Sequence, residues 1–554
     1  MIGVIAKPSE RTVVCEFFEL FKTPWEFYRS DRRYEVLLSS RDGKVDTTAA
    51  KHVLIYAGKK IQFDAEQKIE VDSRRTGSRA LSYKGRRVPI YGDSITFPAK
   101  RDGILTDEDS HHPVAYLNQS GGRILARIGY DLFSEVRALL TVGQPPANAD
   151  VPALELHIAV LRDLIIGCGI PLVEIPPVPE GYQFIACLTH DVDHASIRRH
   201  RWDHTMFGFL YRAILGSLIS VFRGRAPIRN LFTNWTAALK LPLTYLGLAK
   251  DFWYEFDRYV ELEKGLVSTF FVIPFKNDPG RTTQGPAPRF RAARYEASEV
   301  TSQIQRLMSA GCEVGLHGID AWLDSSKGRE ELDQIRRITG MPDIGVRMHW
   351  LYFDKQSPQS LERAGAAYDS TIGYNETVGY RAGTTQAYKP LEAIRLLELP
   401  LHVMDTALFY PNRLNLSPRE ARKRVSSIID SAVQFGGSVT VNWHDRSIAP
   451  ERLWGQFFLD LIEELKSNGV WFSTAAQAVA WFQKRRSAVF ESVSWDPGAL
   501  RVKIAVDGGK ELPGLRLRIH PARGPRQSSE LGGAALNGHV DIGLNSNIDT
   551  RIAL

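Results

Sequence analysis

Between residues 184 and 484, short apolar runs alternate with helix-length amphipathic segments, a pattern that predicts a parallel α/β sheet or barrel. The runs predict strands over Phe184–Leu188, Val267–Ile273, Glu313–Leu316, Gly345–Met348, Leu396–Leu399, Val439–Trp443 and Val470–Phe472. Helical spacing predicts helices over Ser298–Ser309, Pro418–Phe435 and Pro450–Lys466. Polar, reactive residues stand just after several of these strands: Asp191 and Asp193, His317, His349 and His444. In parallel α/β folds that edge is where active sites form.

The flanks have a different texture. Residues 1–175 mix short strand patterns, such as Val53–Tyr56, with polar loops and a helical pattern over Leu154–Ile166. The prolines and glycine of Ile175–Gly181 read as a linker. After about residue 487, Leu500–Val506 and Leu515–His520 alternate apolar and polar and are joined through Asp507-Gly-Gly509, which predicts a hairpin. Three units are therefore expected: a mixed α/β domain over 1–175, an α/β barrel over 184–484, and a small β-rich unit over 488–554.

Composition narrows the class. A chain of 554 residues, 44% hydrophobic and 24% charged, is globular and long enough for two or three domains. The net charge of +7 is a small excess of 70 basic over 63 acidic residues, and no nucleic-acid partner is inferred from it. Cys15, Cys168, Cys187 and Cys312 have apolar neighbours and form no Cys-x-x-Cys pair, as expected of buried, reduced thiols. The opening Met-Ile-Gly-Val-Ile-Ala-Lys-Pro lacks the pattern of a signal peptide, so cytoplasmic residence is the expectation.

The densest cluster is Thr189-His-Asp-Val-Asp-His194. Carboxylates two apart on an extended segment project to one side, where one can hold a cation and the other accept a proton. Alone, the hexapeptide is equally compatible with a solvated turn. Glu313-Val-Gly-Leu-His317, Val346-Arg-Met-His-Trp350 and Val439-Thr-Val-Asn-Trp-His-Asp445 add three further polar strand ends in the same domain.

In this order the motifs resemble those of the polysaccharide deacetylases of carbohydrate esterase family 4, the NodB-homology hydrolases, over about residues 184–484. The resemblance implies a distorted (β/α) barrel and a divalent metal, zinc by the chemistry of its ligands. It implies Asp191 as general base, Arg347 as the arginine that positions it, Asp193 and His317 as metal ligands, and His444 as general acid with Asp405 or Asp445 as its partner. Leu399-Pro400 to Asp405 is similar to the fourth motif region. Tyr368–Thr371 and Tyr380–Thr384 resemble loops of a branch tied to exopolysaccharide gene clusters. Trp350, Tyr380, Arg381, Asp405 and Trp443 are the candidate substrate-binding residues. One position departs from the pattern: the family's second motif carries another histidine four residues after the first, where this chain has Ala321. His349 is the favoured third ligand, because its imidazole suits zinc and it follows Arg347 by two residues; Asp320 is the second choice.

The expected activity is removal of N-acetyl groups from amino sugars of a cell-surface polysaccharide or its precursor, lipid-linked precursors included. Two alternatives stay open, a hydrolase of non-sugar amides and an inactive, membrane-associated glycan-binding or assembly protein. The oligomeric state is not readable. Between Asp203 and Asp251 there is no acidic residue, whereas Arg212, Arg223, Arg225, Arg229, Lys240 and Lys250 are basic. Within it, 205–222 is largely apolar with a narrow stripe of Gly208, Arg212, Gly216 and Ser220. This segment is either an interfacial helix on the inner face of a membrane or a helix packed on the barrel.

Overall fold

The computed structural model describes all residues except 44, 46, 47, 99–103, 121, 122, 225, 226, 497, 498, 507–511, 523–537, 545, 546 and 554, and the side chains of 120, 550 and 553. The chain divides into two compact units. The first comprises Met1–Gly181, Tyr380–Leu391 and Trp481–Leu554; the second comprises Tyr182–Gly379 and Glu392–Ala480.

The first unit is built on a six-stranded sheet in the order Ala115–Ser120, Arg123–Ile128, Ala50–Tyr56, Tyr34–Ser39, Ile2–Ile5, Trp25–Phe27. Its pairs are parallel except the antiparallel first pair. The buried Arg127 guanidinium anchors this sheet by pairing with Asp64 Oδ1 at 2.8 Å and donating to the carbonyls of Ala57 and Lys59. The strands beyond residue 487 group with this unit instead of standing apart. Their period-two pattern does mark strands, Ala499–Ala505 and Leu515–His520, but the two do not pair with each other. The former pairs with Val489–Asp496 and Ile548–Ala553, the latter with Leu172–Glu174 and Val540–Leu544. The expected turn at Asp507–Gly509 lies outside the described residues. All four cysteines are free; Cys187 and Cys312 are buried as expected, but Cys15 is exposed.

The second unit is an α/β barrel. Its parallel strands are β1 (Ile185–Val192), β2 (Ser268–Val272), β3 (Glu313–Gly318), β4 (Val346–Met348), β5 (Val403–Met404), β6 (Ser438–Asn442) and β7 (Trp471–Phe472). They run in the order β4-β3-β2-β1-β6-β5, with β7 beside the first two residues of β1. β1 is buried along its whole length because it has neighbours on both edges, so apolar residues fill it until Thr189 begins its polar end. Between β4 and β5 the ring closes through single bridges at Asp369 and Glu398. There Ser370 N donates to Val346 O at 2.9 Å, Leu399 N to Asp369 O at 2.8 Å, and His402 N to Thr440 O at 3.1 Å. Leu396–Leu399, expected as a strand, is therefore an extended segment, and regular pairing resumes only at β5. This sparse pairing is what distorts the barrel.

Helices cover the crossovers. Pro418–Phe435 has the predicted bounds, because Ser417 and Glu420 form a capping box and Pro418 occupies the first turn. The basic insertion forms two helices, α1 (His204–Phe222), with a π-helical turn at Arg212–Gly216, and α2 (Ile228–Tyr245). Among the described residues, α1 is the one helix long and apolar enough to cross a membrane, and 28% of it is buried. Its inner face places Met206, Phe209 and Ala213 in a cluster with Ala237, Leu241 and Trp253. The opposite faces leave Phe207, Leu215, Phe222, Phe232, Leu239 and Leu243 exposed, Phe222 by 84% and Leu239 by 81%.

Candidate active site

β1 carries both carboxylates. Asp191 is buried, and each of its oxygens is held: Oδ1 accepts from Arg347 Nη1 at 3.1 Å, and Oδ2 from Asn442 Nδ2 at 2.7 Å. Arg347 is itself fixed by Thr189 Oγ1 (2.6 Å), Ser370 O (3.0 Å) and Ser370 Oγ (2.9 Å), and lies over the Phe271 ring. The guanidinium therefore cannot swing away from the carboxylate it holds.

Two residues on, Asp193 Oδ1 is buried without a hydrogen-bond partner. It lies 3.3 Å from His317 Nε2 and 3.5 Å from His349 Nε2. His317 Nδ1 bonds the Arg347 carbonyl at 2.9 Å. A carbonyl can only accept, so the tautomer this contact selects for the uncharged ring carries its proton on Nδ1 and turns the Nε2 lone pair toward the Asp193 oxygen. Burial holds His349 well below the usual histidine range, so it presents a neutral imidazole. Lone pairs that converge with no hydrogen between them repel, and a cation relieves the conflict. One donor atom from each of Asp193, His317 and His349 lies within 4.8 Å of the others. The set fits a divalent metal of zinc type, with two imidazoles, one carboxylate and a protein carbonyl orienting one ring.

The loops that aim these ligands are tied down. Trp350 and Leu351 have left-handed backbones, with φ of 64° and 54°. Such conformations cost about 1–3 kcal/mol each and persist where their surroundings dictate them. Here Arg291 donates to the carbonyls of His349 (2.8 Å), Ile319 (3.2 Å) and Pro279 (2.6 Å). Glu331 accepts from the backbone N–H of Ile319 and Asp320, each at 2.8 Å. Asp320, the second choice as ligand, accepts from Arg281 N at 2.7 Å and is not part of the three-donor group.

On the other side stands His444. Its Nδ1 bonds Asp405 Oδ1 at 2.6 Å, its backbone N–H donates to Asp405 Oδ2 at 2.7 Å, and its Nε2 lies 3.8 Å from Asp193 Oδ2. Burial opposes a charge on this ring, but the Asp405 carboxylate outweighs it and raises His444 to about 10. The imidazolium is thus the form present at neutral pH. Of its two expected partners, Asp405 fills that place; Asp445 instead accepts from His194 N and Arg446 N.

These groups border a cavity of about 600 Å³, lined by Asp191, Asp193, His317, His349, His444 and, among its aromatics, Trp350 and Tyr352. Four expected substrate contacts are not in its lining. Tyr380 is buried in the first unit, where its carbonyl accepts from Gln144 Nε2. Arg381 is also in that unit, with its carbonyl bonded to Gln144 N. Trp443 is fully buried and stacks on Phe457 and Phe458, so it is core. Asp405 is buried behind His444 instead of facing the cavity. Sequence reasoning gave no role to Asn442 or Arg291. Asn442 stands two residues before His444 on the same strand end, the one local signal that could have drawn notice to it.

Fold and site together define the class: a parallel α/β barrel with a three-donor cation cradle at the C-terminal edge of its strands. Neither a family model nor a curated protein matches the chain. Among solved structures, it is similar to a candidate polysaccharide deacetylase from Mycobacterium smegmatis at 17% identity, covering 56% of this chain and 95% of that one, with a TM-score of 0.35. It is likewise similar to a candidate polysaccharide deacetylase from Pseudomonas aeruginosa PAO1, at 16% identity, 58% and 98% coverage and a TM-score of 0.34. Puue allantoinase gives 16% identity, 56% and 93% coverage and a TM-score of 0.34.

Proposed function

We propose that the protein is a metal-dependent polysaccharide deacetylase that removes N-acetyl groups from amino sugars of a cell-surface glycan or its precursor. The observation that carries this reading is the pairing of a doubly held carboxylate, Asp191, with the cradle of Asp193, His317 and His349. A divalent cation bound there, zinc by its donor set, supplies carbonyl polarisation and a water of lowered pKa. Asp191 accepts the proton of the attacking water, and Arg347 and Asn442 hold its two oxygens and keep the carboxylate aimed. His444, charged through Asp405, donates a proton to the departing amine nitrogen as the amide C–N bond breaks. Water and amide are thereby converted to acetate and a free amino sugar. Trp350 and Tyr352 offer faces suited to a sugar ring. Acetate release by the zinc-loaded full chain from N-acetylated amino-sugar oligomers is the test. Release that disappears with Asp191→Asn is expected; metal-loaded protein inert on every N-acetylated sugar supplied would defeat the reading.

The same reading places the enzyme on the inner face of an anionic membrane through α1 and α2. The inner faces of both helices pack in the barrel's own cluster, which favours lying on the bilayer over crossing it. Their exposed apolar faces gain roughly 25 cal/mol per Å² when buried in the headgroup boundary. Arg198, Arg223, Arg229, Lys240 and Lys250, with no acid between Asp203 and Asp251, add about 1 kcal/mol each near anionic lipid. Four free thiols suit the reducing side. Co-sedimentation with phosphatidylglycerol vesicles, weakened by salt and lost in Phe222→Asp/Leu239→Asp, is expected. Phe209 is unsuited to this test because it is core. Wild-type protein left in the supernatant at low salt would refute docking.

A further inference from the structure

The cavity holds a group of cations that the deacetylation chemistry does not use. Arg212 reaches it from the π-helical turn of α1, and Arg446 and Arg452 from the segment after β6. Among the described residues, no carboxylate forms an ion pair with any of the three. Arg446 Nη1, Arg212 Nε and Arg452 Nε are buried nitrogens without hydrogen-bond partners. Arg452 is 8% exposed, donates to Ser447 Oγ and Tyr410 Oη, and lies over the Tyr410 and Trp454 rings. Arg446 stacks over Trp253. The acids whose charges reach the group hold other partners: Asp445 accepts backbone N–H groups, Asp405 holds His444, and Glu451 Oε2 accepts from Trp253 Nε1, its Oε1 being buried without a partner.

Like charges held together in a partly buried pocket repel, and the groups that offset them, Tyr410 and the Glu451, Asp405 and Asp445 carboxylates, do so without forming an ion pair with any of the three. Burial, followed by the Arg446 and Arg452 charges, lowers Arg212 to about 10. Such a cluster costs stability unless an anion completes it. A monovalent carboxylate has two acceptor oxygens and one charge. A phosphate offers more of both and matches the planar fork of several guanidinium groups at once.

We propose that Arg212, Arg446 and Arg452 form a phosphate subsite beside the cation cradle, so that the amino sugar is bound as a phosphate or diphosphate ester. This rests on the reading of the cavity as the substrate cavity. It makes the substrate a carrier-linked precursor and not the finished neutral chain. The carrier is a nucleotide or a lipid. The helix that supplies Arg212 also exposes Phe207, Leu215 and Phe222, which is the arrangement a lipid diphosphate would use.

Calorimetric titration of the full chain with inorganic pyrophosphate tests this, with metal loaded and after metal removal by chelation. The metal-free arm excludes direct coordination of pyrophosphate to the cation. Binding in both arms is expected, with Arg212→Gln and Arg446→Gln each weakening it by about tenfold or more, and Arg446→Lys restoring part of the loss. Arg258→Gln, on the far side of α2 in sequence and absent from the cavity lining, serves as the control and should bind as wild type. If Arg452→Gln fails to fold, the other two variants decide. Tighter binding of a nucleoside diphosphate would identify a soluble carrier, and tighter binding of a polyprenyl diphosphate in micelles a lipid one; either supports the subsite. Pyrophosphate that does not bind metal-free protein, or binds the glutamine variants as it binds wild type, overturns it. These measurements read affinity and not turnover, so they stand whether or not acetate is released from neutral oligomers.

Discussion

Replacing His349 by alanine removes one of three protein donors from the cradle. Its Nε2 lies 3.5 Å from Asp193 Oδ1, and its ring is 5.0 Å from that of His317. A fully protein-ligated zinc gains about 10–16 kcal/mol from its ligands, or about 3 kcal/mol for each of four. Loss of that share weakens affinity roughly 100-fold, and water entering the space left by the imidazole returns part of it. His317→Ala should cost at least as much, because the ring it removes is the one oriented by the Arg347 carbonyl. Asp320→Ala should leave affinity unchanged, since that carboxylate serves Arg281. Zinc titration of metal-free variants against a competing chelator measures all three. Equal affinity in wild type and His349→Ala, or a loss in Asp320→Ala as large as in His317→Ala, would show that the third ligand has been misassigned.

Asp191→Asn should keep its metal yet lose turnover by about 10²–10⁴-fold, read by metal analysis beside acetate release; near-normal turnover would remove Asp191 as the base. The Asp405 carboxylate holds His444 up to about 10, and the acid form is lost as pH rises through that value. Asp405→Asn should therefore move the alkaline limb of the pH–rate profile towards neutrality, and an unmoved limb would mean that another group donates the proton. In the first unit, Asp64→Ala strands the buried Arg127 charge and should destabilise that unit by about 3–5 kcal/mol, measured by denaturant unfolding; a change below 1 kcal/mol would contradict the accounting.

How much of this was legible depended on whether the signal was local. Strand cores such as Ile185–Leu188 and helix 418–435 are written in periodicity and capping residues, and the structure has them. The reactive residues at strand ends were legible because a parallel barrel gathers those ends in one place. Partners were not legible. Period two marks Leu500–Val506 and Leu515–His520 as strands but is silent on what each pairs with. The apolar character of α1 on either side of its narrow polar stripe concealed that Phe209 faces the barrel while Phe207 faces outward. Trp443, an aromatic beside a catalytic candidate, reads from sequence as a substrate contact, yet just past the end of β6 it turns into the core. Asn442, Arg291 and the arginine group act across tens to hundreds of residues, where no spacing rule reaches.

The first unit is assembled from three separated stretches of chain, and this orders the folding of the molecule. Leu172–Glu174 finds its partner strand at Leu515–His520, across the whole barrel sequence. Closing such a loop in an unfolded chain would span about 340 residues, with a cost that grows as the logarithm of length. Once the barrel has folded, Gln183 N bonds Gly469 O at 3.1 Å, so its entry and exit strands already lie side by side. The loop left to close is then about 55 residues, which lowers the entropic cost by about 1.6 kcal/mol. During synthesis the barrel can mature while the strands beyond residue 487 are still to come. The unit that begins first is thus completed last, with the barrel acting as the clamp that brings its pieces together.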